Sequence, residues 1–247
     1  MADEIVQLNE LESDPELKEM VDAGVFCGRT KLKTHPRMRP YILSTRNGVE
    51  IFHLGKTLEK MGDALDFLKA KVSAKGTVLF IGTQPAAQQI LEDASKELSI
   101  PSVTVRWLGG TLTNFKVISK RVEYLKKLRS DFSTGAVEKY TKKEQLGLRK
   151  EMEKLEELFS GIENMAGKPD VIVLIDPVLH KAAMSEAKRL SIPVIAYTNS
   201  DVNPEEIEYM VPGNTKSRSS IDWFMGKIKA VIKEGQKVAT LETLKTN

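Results

Sequence analysis

The chain has 247 residues, 41% of them hydrophobic and 29% charged, enough apolar material for a sizeable core in one large α/β domain with an insertion or in two small domains. The formal net charge of +3 is too small by itself to announce a nucleic-acid partner. The single cysteine, Cys27, excludes an internal disulfide and points to a reducing compartment, and no apolar run approaches the roughly 18 residues of a membrane helix.

The distribution of charge says more than its sum. Residues 1–22 carry eight acids against Lys18 alone, whereas Arg29, Lys31, Lys33, Arg37 and Arg39 follow with no acid among them. The N-terminus lacks the basic and apolar pattern of a signal peptide, so a cytoplasmic protein is expected. Residues 1–12 read as an acidic mobile tail. Ser13-Asp14-Pro15-Glu16 then starts a short helix with Leu17, Met20 and Val21 on one face. Residues 25–42, with two prolines and interleaved basic side chains, read as an extended loop in which Tyr41 offers a stackable ring. Asn47-Gly48 is a turn before an expected first sheet strand over 49–53.

A helix follows over 54–72, with Leu58, Met61, Leu65 and Leu68 inward, then a buried strand over 77–81 and a helix opened by Pro85. Further strands are expected at 102–105, 171–175 and 194–197, with a helix over 179–190 and a last amphipathic helix over about 217–233. Strand and helix alternating at this rhythm predict a parallel sheet with helices on both faces.

The rhythm breaks once. After the strand at 102–105, Arg106-Trp107-Leu108-Gly109-Gly110-Thr111-Leu112-Thr113-Asn114 turns into a helix that does not lead to the next strand. Gly109 and Gly110 permit positive φ, and Thr113 or Asn114 is placed to cap the helix. Phe115, Ile118, Val122 and Leu125 face a second seam of Leu148, Met152, Leu155, Phe159 and Ile162 at four-three spacing, which predicts a helical coiled-coil hairpin with its turn over 131–141. Its first helix is lopsided: Lys116, Lys120, Arg121, Lys126, Lys127 and Arg129 face only Glu123. A neutral strut would interleave signs, so this favours a polyanion partner. Trp107, between a strand end and Leu108, is expected to anchor the root with Gly109 and Gly110 rather than to stack on a base.

Catalysis has little support. Gly82-Thr83-Gln84-Pro85 is neither a dinucleotide fingerprint nor a Walker loop. His35, His53 and His180 lie far apart, and with Cys27 they form no metal spacing; His53 is read in a strand and His180 near a helix start. Asp176-Pro177 follows a strand end but is also an ordinary turn. Catalytic residues, metal ligands and cofactors are therefore expected to be none.

The run 106–114 resembles the signature of bacterial small-ribosomal-subunit protein two. Asn47-Gly48 to Leu54, Lys56-Thr57-Leu58, Gly76 to Thr83, Lys168-Pro169-Asp170, Ile175-Asp176-Pro177, Ile192-Pro193-Val194 and Val211-Pro212-Gly213-Asn214 agree in order, over roughly residues 15–235. The resemblance implies a flavodoxin-like doubly wound sheet of order 2-1-3-4-5 with a protruding hairpin. It implies binding to small-subunit rRNA, neighbouring small-subunit proteins as partners, and docking of the large multi-OB-fold protein that recruits mRNA. No membrane association or homo-oligomer is expected.

The expected division is a globular domain of 13–113 and 163–235, an inserted hairpin of 114–162 and a C-terminal tail of 236–247. The RNA-contacting candidates are Arg29, Lys31, Lys33, Arg37, Arg39, Arg46, Arg106, Lys116, Lys120, Arg121, Lys216 and Arg218. Three departures stand out. The family usually has two histidines in the segment matching 25–29, where this chain has Phe26 and Arg29. Two aspartates after Pro-Gly-Asn are Thr215 and Lys216 here, and the usual Asp-Thr-Asn is Asn199-Ser200-Asp201. The alternatives are a phosphate-ligand-binding α/β enzyme with a dimerisation hairpin, and a free RNA-binding regulator.

Overall fold

The computed structural model describes residues 14–246, with side chains through 239. The stretch expected to be a mobile tail, 1–12, lies outside the described residues. Helix α1 (Pro15–Asp22) starts as its sequence dictates, the Asp14 carboxylate accepting from the Glu16 N–H at 2.9 Å, and buries Leu17 and Met20.

The basic segment is more ordered than an extended loop. Strands β1 (Cys27–Thr30), β2 (Ile42–Arg46) and β3 (Val49–Phe52) form a separate antiparallel sheet of order β1-β3-β2. Asn47 and Gly48, both at positive φ (51° and 76°), make the two-residue turn that joins β2 to β3. The expected first strand of the parallel sheet is thus the centre of a small sheet instead. Its nearest partner in sequence, 42–46, is masked there by adjacent prolines and cations. His53 stands just past β3, where Nδ1 accepts from the Lys56 N–H (3.4 Å) and caps the next helix.

That helix is α2 (Leu54–Ser73), followed by β4 (Val78–Ile81), α3 (Pro85–Leu98) and β5 (Ser102–Val103). After an excursion come β6 (Val171–Ile175), α6 (Lys181–Arg189), β7 (Val194–Thr198), β8 (Tyr209–Pro212) and α7 (Arg218–Thr246). The excursion itself is α4 (Phe115–Ser133) and α5 (Lys142–Phe159). The parallel sheet runs β5-β4-β6-β7-β8, which is 2-1-3-4-5 counted from β4. Its fifth strand is β8, a run ending in Pro212 at the sheet edge, where a missing N–H is tolerated. β5 is only two residues long because Thr104 turns away to hydrogen-bond Glu92. α7 does not stop near Lys233; the helix continues through the stretch read as a tail, to Thr246.

Alternation along the strands sorts the chain into two cores. Val78, Phe80, Val173, Ile195, Tyr197 and Val211 point to one face, covered by α1, α2, α3 and α7. Leu79, Ile81, Ile172, Leu174, Ala196 and Met210 point to the other. There they meet Ala183 and Ala187 of α6, Met38 of the basic segment, and the apolar seam of α4 and α5. Ile118, Val122, Leu125 and Leu128 are buried against Leu155, Phe159 and Ile162, so α4 and α5 pack side by side with a seam continuous with the sheet's second core. Thr141 and Glu144 form a reciprocal capping box at the start of α5.

Candidate nucleic-acid interface

Most of the polar contacts of the connector between β5 and α4 converge on one side chain. Glu186, on α6, accepts at Oε1 from the Trp107 indole N–H (3.0 Å) and the Gly110 N–H (2.8 Å). At Oε2 it accepts from the N–H groups of Leu112 and Thr113 (both 3.0 Å) and from the Thr113 hydroxyl (3.1 Å). Burial pushes this carboxyl upward, but the donors from Thr113, Gly110, Trp107 and Leu112 outweigh it and hold the acid below its ordinary value. A depressed carboxyl contributes stability above its unfolded pKa and loses it as pH falls through the folded one, so this connection persists at neutral pH and weakens only in acid.

Two details differ from expectation. α4 begins after Asn114 with no side-chain cap, because the Thr113 hydroxyl and N–H are already taken by Glu186. Of the two glycines only Gly110 has positive φ (91°); Gly109 has open space around it. Trp107 is half-buried, its ring against the second core and its N–H committed to Glu186.

Past this root the cations separate into two kinds. Arg106, Lys116, Lys120 and Arg121 are exposed, as are Lys31, Lys33 and Arg39, and none of the seven forms an ion pair among the described residues. Val117, 49% exposed, lies beside Lys116. Arg129 is different: Glu156 of α5 (2.6 Å) and Glu163 (2.7 Å) hold its guanidinium, so it braces the helical pair. The charge imbalance counted along α4 is partly cancelled by acids from beyond it. Arg37 pairs with Glu205, and Lys216 with the fully buried Asp176 (3.2 Å). Arg46 and Arg218 are exposed on β2 and at the start of α7. Met38 and the start of α4 both rest on the second core, so the part of the basic segment around Met38 and the root lie on one face of the sheet.

At the carboxyl ends of β4 and β6, the polar residues hold one another. His180 is buried, with Nε2 accepting from the Thr83 N–H (3.2 Å) and Nδ1 2.9 Å from the Asp176 carbonyl, which fixes Nδ1 as its protonated nitrogen. Burial lowers its pKa, keeping the ring neutral as a crosslink between loops. Gln84 donates to the Thr215 carbonyl (2.7 Å), and the Thr215 hydroxyl donates to Asp176 (3.3 Å). His35 Nδ1 accepts from the Arg37 N–H (3.3 Å). Among the described residues no group of three or more His, Cys, Asp and Glu side chains is placed to hold a metal ion.

A sequence profile described as ribosomal protein S2 matches residues 20–235, most of the chain. The chain belongs to the ribosomal protein S2 family. Membership makes it a structural protein of the small ribosomal subunit and sets aside the phosphate-binding enzyme. Phe26 packs against the first core, while Arg29 donates from Nε to Asp201 (3.1 Å) and from its backbone to Ser200 Oγ (3.0 Å). Arg29 is thus held in an ion pair that ties β1 to the segment after β7. Arg29→Gln should cost about 1–2 kcal/mol in chemical denaturation, because Asp201 is mostly buried and loses a charged donor. It should leave the affinity for RNA unchanged.

Proposed function

We propose that this S2-family protein binds small-subunit rRNA through one basic face. That face is made by Arg106, Lys116, Lys120 and Arg121 at the root of the helical pair and by Lys31, Lys33 and Arg39 of the neighbouring loop. The observation that carries the reading is the sorting of cations on this face. Arg29, Arg129 and Lys216 have carboxylates at hand, whereas these seven project to solvent without one among the described residues. Long unpaired cations gain little within the fold, yet each neutralises a phosphate and releases a counterion. Phosphate contacts of this kind position a protein on RNA, while sequence is read elsewhere or not at all.

The chain acts, on this reading, in the cytoplasm as an assembled component, next to other small-subunit proteins. It contributes to the docking of the large multi-OB-fold protein that recruits mRNA. Adding the purified chain to small-subunit particles depleted of it should give one copy per particle after sedimentation, released progressively as salt is raised. Failure to co-sediment at low salt, or association indifferent to salt, would contradict the proposal.

A further inference from the structure

From the five hydrogen bonds on one carboxylate we infer that Glu186 is a positioning residue for the rRNA interface: it sets the direction in which the helical pair leaves the sheet. The inference rests on the rRNA reading above and adds the part that aims the basic face.

α6 is a firm mount, since Ala183 and Ala187 are buried in the second core on the same helix as Glu186. From there the carboxylate reaches 73 to 79 residues back along the chain and gathers Trp107, Gly110, Leu112 and Thr113. These residues are the connector between β5 and α4, and Lys116, Lys120 and Arg121 follow in the first turns of that helix. The returning end of the pair, past α5, is attached independently: a Cβ on Gly161 would lie 2.1 Å from the Ser102 carbonyl oxygen, so that turn is seated directly on β5. Without the carboxylate, the start of α4 keeps this seat and the apolar packing of Phe115 and Ile118, and loses the directional hydrogen bonds that fix its angle.

Simple electrostatics makes the opposite prediction. A carboxylate beside a polyanion site repels it, so neutralising Glu186 as a mere charge would tighten binding. As a positioning group, it confers affinity by keeping the competent direction populated, and the apparent Kd rises as that fraction falls.

Glu186→Gln turns one oxygen into an amide N–H₂ facing N–H donors, so at least one side of the cluster must open. The measurement pairs rRNA affinity across a salt series with distances between spin labels at Glu138→Cys, beside the tip of the pair, and Ala230→Cys on α7, in a Cys27→Ser background. Glu186→Gln should broaden the distance distribution and weaken binding about tenfold, as for a competent fraction of about a tenth. The log-log salt slope should stay at the wild-type value, because the cations that meet phosphate are all still present. Trp107→Phe, which keeps a ring and removes one donor, should show both effects more weakly and covers the case in which Glu186→Gln does not fold. An unbroadened distribution in both variants, or equal or tighter binding despite broadening, overturns the inference. Wild type that shows no salt-dependent rRNA binding removes the function itself, and this role with it, even where the distances change as expected.

Discussion

Gly213→Ala should be among the most damaging single-methyl additions to this protein, lowering stability by about 3 kcal/mol in a denaturant titration. A Cβ there would lie 2.3 Å from Tyr197 Oη and 2.5 Å from its Cε2. The ring cannot step aside: Tyr197 is fully buried, stacks on Phe224 with centroids 4.6 Å apart, and hydrogen-bonds Ser220. The Gly213 N–H also donates to the Thr198 carbonyl (2.8 Å), pinning the backbone to the end of β7. Gly62→Ala, inside α2 with nothing within 4 Å, makes the contrast and should raise stability by up to about 1 kcal/mol. Equal midpoints for the two variants would show that the packing between β7 and α7 is looser than these distances require.

The second large effect is on RNA. Changing Lys116, Lys120 and Arg121 together to Gln should leave the melting transition nearly in place, since each is exposed and an exposed substitution costs under about 0.5 kcal/mol. Affinity for small-subunit rRNA should fall, and the log-log salt slope should flatten by about 0.7–0.9 for each phosphate no longer neutralised, or roughly 2–3 in all. Preference among RNA sequences should change little. An unchanged slope in a folded triple variant would take the root of the pair out of the interface and leave Lys31, Lys33 and Arg39.

What can be read without coordinates follows from range of interaction. β4, β6 and β7 are buried along their whole length, so their apolar runs between turn residues announce them. α2 ends within a residue of its expected bound, and α3 opens at Pro85 as expected. β8 escapes a local reading because four residues ending in proline carry no alternating pattern of their own; the partner β7 makes them a strand. Local pattern puts β3 in the wrong sheet because it does not say whether the neighbour is parallel or antiparallel.

The site divides in the same way. Lys116, Lys120 and Arg121 stand out in the sequence because Glu123 is the one acid near them along the chain. The acids that claim Arg29, Arg129 and Lys216 lie 172, 27 and 40 residues away, beyond what local charge counting reaches. Glu186 is invisible for that reason. In sequence it is one acid between two lysine-bearing turns of a short helix, and its five donors come from another part of the chain.

The central claim, that the root of the helical pair faces rRNA, is tested most directly by cleavage from a tethered radical source. A chelated iron placed on Val117→Cys in a Cys27→Ser background, in reconstituted small subunits, should cut rRNA at discrete sites. The same reagent at Asp66→Cys, on α2 across the sheet, should cut weakly or not at all. Strong cleavage from position 66 with none from 117, in particles of normal sedimentation, would contradict the account.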